Sequence, residues 1–197
     1  EEMVPAAGAS GSIESRAAVN NKAWRKINGV CYNGSGVKIP GAITRGMDVS
    51  EWQEKIDWTR VKKSGIDFVF VRIAHGIGYE DKLYDYNMEH AEKAGIPAGT
   101  YVYSTATTNT GALKEARLAI RKMQGYKVSY PVVFDLEYQN AQSLSPQKVS
   151  EMALTFCNEV RKAGYYPMVY CNTYWYDNFI DWSMLSGLDV WIARYGD

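Results

Sequence analysis

From Trp24 onward, short apolar runs alternate with longer amphipathic stretches, and the order of the two predicts the elements. Residues 45–50 (Arg-Gly-Met-Asp-Val-Ser) read as a short strand entering a turn. Asp57 is placed to cap a helix that begins at Trp58 and is stopped by Gly65. Residues 66–74 are almost continuously apolar, the pattern of a strand covered on both faces. A loop through Gly76 and Gly78 leads to a helix over 84–94, closed by Gly95, and residues 97–104 form the third strand. Leu113, Ala116, Ile120 and Met123 recur at helical spacing, and Gly125 ends that helix. Pro131 to Glu137 is the fourth strand. Ser145 as N-cap and Pro146 at N1 open a helix whose stripe is Val149, Met152, Ala153, Phe156 and Val160. Residues 165–171 make the fifth strand, a short aromatic helical segment follows near 174–180, and residues 188–195 make the sixth.

Strands alternating with helices imply an α/β fold with a parallel sheet and right-handed crossovers. Closed on itself, such a sheet is a TIM-like barrel with its site at the C-terminal strand ends. An open, doubly wound sheet fits the same alternation, but no Gly-rich phosphate loop follows the first strand. Three segments are expected. Residues 1–22 are small and polar and read as a flexible linker after an upstream export or anchoring segment, with no signal-peptide pattern of their own. Residues 23–44 hold two short apolar segments around Asn33-Gly34-Ser35-Gly36, which suggests an appended hairpin. Residues 45–197 are the barrel domain.

Composition narrows the function classes. Lys+Arg and Asp+Glu are 22 each, so no basic excess favours nucleic acid or an anionic membrane surface. No run of about 18 apolar residues is present to span a bilayer. Tyr (15) and Trp (6) outnumber Phe (5), and their flat rings with polar handles suit stacking on sugars as well as core filling. Cys31, Cys157 and Cys171 lack metal spacing and do not decide the compartment. His75 and His90 have no partner at metal-ligand spacing, so no metal is expected. Ser50 and Ser104 stand in no nucleophile-elbow motif.

The sharpest chemical signal is Phe134-Asp135-Leu136-Glu137. On a strand, residues i and i+2 share a face, with Cβ atoms roughly 6.5–7 Å apart. Two carboxylates so close repel, and one holds its proton to higher pH. An acid beside an ionised partner is what glycosidic bond cleavage needs, and since that chemistry needs only carboxylates and water, no cofactor is implied. The plain alternative is a pair that caps a turn or meets an arginine. Asp48, Arg72, Tyr103, Asp135, Glu137, Tyr170 and Arg194 all fall near predicted C-terminal strand ends. Asp48 equally suits a cap for the turn at Ser50, and Arg72 a structural ion pair.

Taken in order, these segments resemble the glycoside hydrolase family 25 lysozymes, the Chalaropsis-type N-acetylmuramidases. The matching pieces are Gly46-Met-Asp48-Val-Ser50-x-Trp52-Gln53 with Ile56-Asp57-Trp58, and Gly65-Ile-Asp-Phe-Val-Phe-Val-Arg72. Gly99-Thr-Tyr101-Val-Tyr103, Phe134-Asp135-Leu-Glu137, Tyr165-x-Pro-Met-Val-Tyr170 and Trp191-Ile-Ala-Arg-Tyr195 complete the set. The resemblance implies a flattened eight-stranded β/α barrel, expected here to lack its last strands. It implies cleavage of the β-1,4 bond between N-acetylmuramic acid and N-acetylglucosamine in peptidoglycan glycan strands. Glu137 is then the general acid, its pKa raised by Asp135 and Asp48, while Asp135 stays ionised and Asp48 assists. Tyr101, Tyr103, Tyr170, Trp191 and Arg72 line the substrate site. A secreted or cell-surface bacterial enzyme, acting as a monomer, is expected. A retaining, substrate-assisted or inverting course all fit the residues. A chitinase-like barrel glycosidase and a cell-wall binding module without turnover are the competing readings.

Overall fold

The computed structural model describes residues 24–194; the expected linker at 1–22 and the segment Tyr195 to Asp197 lie outside them. Two compact units divide between Ile43 and Thr44. In the first, β1 (Arg25–Ile27) pairs antiparallel with β2 (Val30–Tyr32). The connecting turn is Asn28-Gly29, with φ of 49° and 79°. That is the two-residue turn whose twist matches paired strands. The expected hairpin around Asn33–Gly36 reduces to a turn, held by Asn33 Oδ1 accepting from the Val37 amide at 2.8 Å, and a single bridge from Tyr32 to Lys38. Asn28-Gly29, one turn earlier, takes the ladder.

The second unit is a mixed α/β fold whose parallel sheet curls into a half-barrel. Its strands are β3 (Gly46–Val49), β4 (Phe68–His75), β6 (Ala98–Tyr103), β7 (Val128–Asp135), β8 (Pro167–Asn172) and β9 (Asp189–Ala193), hydrogen-bonded in that order. The two-residue β5 (Tyr79–Glu80) folds back antiparallel on β4, where a plain loop was expected. Among the described residues, β3 and β9 are the two edges of the sheet. The helices are α1 (Trp58–Lys63), α2 (Tyr84–Lys93), α3 (Asn109–Met123), α4 (Pro146–Lys162) and α5 (Thr173–Asn178). Asp57 caps α1 by accepting from the Arg60 amide, and Ser145 caps α4 with Pro146 in the first turn.

Strand alternation divides the core into two faces. Val69, Val71, Ile73, Val102, Val132, Phe134, Val169 and Cys171 point one way and pack against the helices, α4 contributing Val149, Met152, Ala153, Phe156 and Val160 as its periodicity predicts. The buried stripe of α3 differs in part from the expected one. Ala116 and Met123 are buried as expected, and Ala112, Glu115, Leu118 and Ala119 join them, while Leu113 and Ile120 stay half-buried. Small residues there let α3 lie close to its neighbours, and Leu113 and Ile120 flank the contact.

The opposite face carries Phe70, Val133 and Tyr170, with Phe68, Tyr101, Tyr130, Met168 and Trp191 around them. Gly99 makes room for this layer. A Cβ there would sit 2.5 Å from both the Phe70 ring and the Pro131 carbonyl oxygen. Pro131 is inside β7 rather than at its start, beside a register shift between Ala98 and Thr100 of β6. A residue with no N–H is tolerated where the ladder is already irregular.

Candidate active site

Register assembles the site. His75 of β4 pairs with Tyr103 of β6, Tyr103 with Asp135 of β7, Asp135 with Tyr170 of β8, and Tyr170 with Trp191 of β9. Adjacent strands stand about 4.8 Å apart, and paired residues of parallel strands face the same way. Tyr103, Asp135, Tyr170 and Trp191, far apart in sequence, therefore form one continuous row at the C-terminal strand ends. Tyr101 lies one step below, paired with Arg72. Asp48 of β3 is lower still, level with Phe70. The sheet's curl brings its charge within reach of Tyr101 and Asp135.

The acids differ in surroundings. β7 ends at Asp135, and Leu136 turns into the core with its amide donating to the Tyr170 carbonyl at 2.8 Å. Asp135 is 6% exposed, and its Oδ1 has no hydrogen-bond partner among the described residues. Burial, then the charges of Glu137 and Asp48, hold its pKa well above the usual carboxylate range, with Arg72 pulling the other way. Glu137 lies just past the strand, half-buried, and its Oε2 accepts from Asn172 Nδ2 at 3.3 Å. Burial raises its pKa, and the Asn172 hydrogen bond opposes the rise. Asp48 is open to solvent along one side, yet enough protein surrounds its carboxyl that desolvation raises it too.

The rise on Glu137 comes from burial, where the charges of Asp135 and Asp48 were expected to supply it. Those charges act on Asp135 instead, which lies deeper, has one oxygen without a donor among the described residues, and is pushed up by burial, Glu137 and Asp48 together.

The aromatic residues pack as follows. Tyr103 turns its ring edge-on to His75 at 4.5 Å, and its hydroxyl pKa is pushed up to about 12 by burial, Glu137 and Asp135. The Tyr101 hydroxyl is raised by burial and then by Asp48. Trp191 stacks on Phe70 at 5.1 Å and meets Tyr170 edge-on at 4.7 Å, so one of its faces is already covered by protein.

Arg72 is committed within the fold. Its Nε donates to Asp81 Oδ2 at 2.8 Å and its Nη2 to Glu51 Oε1 at 3.3 Å. Asp81 also accepts from the amides of Glu51 and Leu83, and Tyr79 Oη donates to Glu51 Oε2 at 2.9 Å. The network ties the turn after β3 to the β4–β5 hairpin. Arg72 reaches the acids through its field, lowering Asp135, while Glu51 and Asp81 take its hydrogen bonds.

Sequence reasoning missed Asn172, Glu51, Asp81 and Glu115. Buried Glu115 of α3 accepts from Ser104 Oγ at 2.7 Å and the Thr105 amide at 2.9 Å, pinning the segment after β6. Asn172 was readable only as a residue before a helical aromatic segment; nothing local signals a partner 35 positions away. Ser50, rather than Asp48, caps the turn after β3, in a capping box with Gln53. Among the described residues, no group of three His, Cys, Asp or Glu side chains is arranged to hold a metal ion.

A family model described as "Glycosyl hydrolases family 25" matches residues 47–197. The chain is 28% identical over 152 residues to the autolytic lysozyme of Clostridium acetobutylicum, covering 77% of this chain and 45% of that protein. It is 27% identical to the uncharacterized protein YegX of Escherichia coli K12, covering 81% and 59%. The chain thus spans about half the length of these curated relatives. Of solved structures, the CTP1L endolysin matches with a TM-score of 0.68 at 25% identity over 76% of this chain and 52% of that one. The modular autolysin LytC of Streptococcus pneumoniae matches with a TM-score of 0.75 at 24% identity, over 88% and 43%, a likeness of fold.

Proposed function

Because the chain belongs to glycosyl hydrolases family 25, we propose that it is a muramidase, hydrolysing the β-1,4 bond from N-acetylmuramic acid to N-acetylglucosamine in peptidoglycan, with Glu137 as general acid. The observation that carries this reading is the pair of desolvated carboxyls, Asp135 and Glu137, at the strand ends beside Asp48 and flanked by Tyr103 and Tyr170. The relative named an autolytic lysozyme supports it.

Glu137, protonated, delivers its proton to the leaving oxygen as the glycosidic bond breaks, and positive charge develops at the anomeric carbon. That charge favours ionisation of the nearest carboxyl. Asp135 is then the anion that stabilises this centre, or that orients the substrate's acetamido oxygen. Water adds to the anomeric carbon and gives up its proton to a carboxylate of the site, which restores the acid. Asp48 keeps the basin negative, and Tyr101, Tyr103, Tyr170 and Trp191 wall it. The proposed groups all come from one chain, so a monomer suffices. Peptidoglycan lies outside the cytoplasm, and the enzyme acts there, secreted or at the cell surface.

The test is reducing-end release from purified peptidoglycan, with reduced products identified by mass spectrometry, run beside Glu137→Gln. Products ending in reduced muramic acid, falling by about 10²-fold or more in the variant, are expected. Wall binding without release of reducing ends would sink the enzyme reading in favour of a binding module.

A further inference from the structure

We infer that Asn172 is a positioning residue which reserves Oε2 of Glu137 as an acceptor, so that the proton delivered to the substrate is carried on Oε1. The catalytic consequence rests on the muramidase reading above; the geometry does not.

Asn172 has two duties because it is both the last residue of β8 and the N-cap of α5. Its Oδ1 accepts from the Trp175 amide at 3.0 Å. That bond decides which way the side-chain amide faces. Turned over, Asn172 would present its NH₂ to the Trp175 N–H, donor against donor, and the helix would lose its cap. The helix start is itself fixed, since Trp175 is 2% exposed and packs on Phe179 at 4.9 Å. With the oxygen committed to the helix, the NH₂ points the other way, where it meets Glu137 Oε2 at 3.3 Å. The orientation toward the acid is therefore imposed by the fold and does not depend on whether Glu137 is charged.

Two consequences follow. A carboxyl oxygen that receives an N–H is the poorer place for a proton, so a protonated Glu137 carries its hydrogen on Oε1 and keeps Oε2 as the carbonyl oxygen. The same donor favours the ionised form of Glu137 and so eases release of the proton, whereas Oδ1 of Asp135 has no such donor. Asn172 thus contributes to the asymmetry of the pair as well as to its aim. The other groups that bear on Glu137 are Asp135 of β7, Tyr103 of β6 and Cys171 of β8, with Asp48 of β3 and Arg72 of β4 acting through Asp135.

Asn172→Asp separates the two duties. Aspartate caps a helix as well as asparagine does, but it replaces the donor facing Glu137 with an acceptor. Carbon-13 carboxyl titration of the unliganded chain should show the Glu137 midpoint rising by about one pH unit, and rising in Asn172→Ser as well, where the donor is lost and no charge is added. On peptidoglycan, kcat should fall about tenfold with KM within about twofold, and the basic limb of the kcat profile should move to higher pH. If the aspartate variant does not fold, Asn172→Ser gives the same readouts, because its single hydroxyl can cap but leaves no second polar atom for Glu137. An unchanged Glu137 titration and an unchanged kcat would overturn the inference and leave Asn172 as a cap only. If the wild-type chain releases no reducing ends, the muramidase reading fails, while the titration in the unliganded chain still decides what Asn172 does to Glu137.

Discussion

At the scale of single residues, Asp135 is held well above the usual carboxylate range by burial and then by Glu137 and Asp48, and this should be visible in stability as well as in rate. Its folded pKa lies above the unfolded value. The sign follows from linkage: the contribution is fully present below the unfolded pKa of about 3.9 and is lost as pH rises through the folded pKa. Above that range the chain keeps a buried carboxylate between two other acids. Asp135→Asn removes the charge and keeps the shape. Urea midpoints measured from pH 4 to 8 should therefore fall with rising pH in the wild type and fall less in the variant, which should be the more stable of the two near neutrality. Activity should drop by about 10²-fold or more in the same variant. Parallel stability curves for the two proteins would mean that Asp135 is not the group that titrates. Both outcomes together would mark Asp135 as a residue kept at a cost to stability for the sake of turnover.

At the scale of elements, the sequence was most readable where one physical rule dominated. The β4 strand is apolar on both faces for most of its length because both faces are covered, and its run announces this without help. The α4 helix shows its cap, its proline and its stripe in order. Reading failed where two rules competed. Pro131 looks like the first residue of a strand, since a proline usually begins or borders one. Instead it lies within β7, which starts at Val128 beside a bulge. The stripe of α3 was right at Ala116 and Met123 but wrong at Leu113 and Ile120, because the buried face turns toward Ala112, Leu118 and Ala119 and admits Glu115, which Ser104 and Thr105 satisfy. The site divides the same way. Asp135, Tyr103 and Tyr170 were legible from strand ends alone, because parallel register puts strand ends in a row, whereas Trp191, in the middle of β9, came only with the family resemblance. The partners of Arg72, Glu51 at 21 positions and Asp81 at 9, were not, because ion-pair geometry leaves no periodic trace. That pairing supports a prediction at this scale. Arg72→Ala strands Asp81, whose side chain is fully buried, and should cost about 3–5 kcal/mol. A urea midpoint unchanged by the substitution would show that the amides of Glu51 and Leu83 suffice to hold Asp81.

At the scale of the whole molecule, the two faces of the sheet do different work. The helix-covered face holds the larger apolar cluster, with Phe134 stacked on Phe156 at 4.5 Å. The opposite face holds the acids in a smaller aromatic layer. Since strand residues alternate, Phe134 anchors the core while its neighbour Asp135 points to the opposite face, so the apolar core and the proposed catalytic acid are set by adjacent residues without competing for the same space. Charge is organised differently. Lys+Arg and Asp+Glu balance at 22 each, so the chain has no net field to draw it toward an anionic wall, and the basin it offers a glycan is acidic rather than basic. On the proposed muramidase reading, recognition comes from short-range contacts with the aromatic row, which salt screens little. The expected outcome is a kcat/KM on purified peptidoglycan that changes by less than about threefold between 20 and 200 mM salt, measured as initial reducing-end release. A steep fall with salt would instead assign capture to local cations. The first to remove would be Arg117 and Arg121 of α3 with Lys162 of α4, which line one groove on the helical side of the sheet. Charge reversal there would then slow capture without touching the acids, placing recognition on the face that the aromatic row does not occupy.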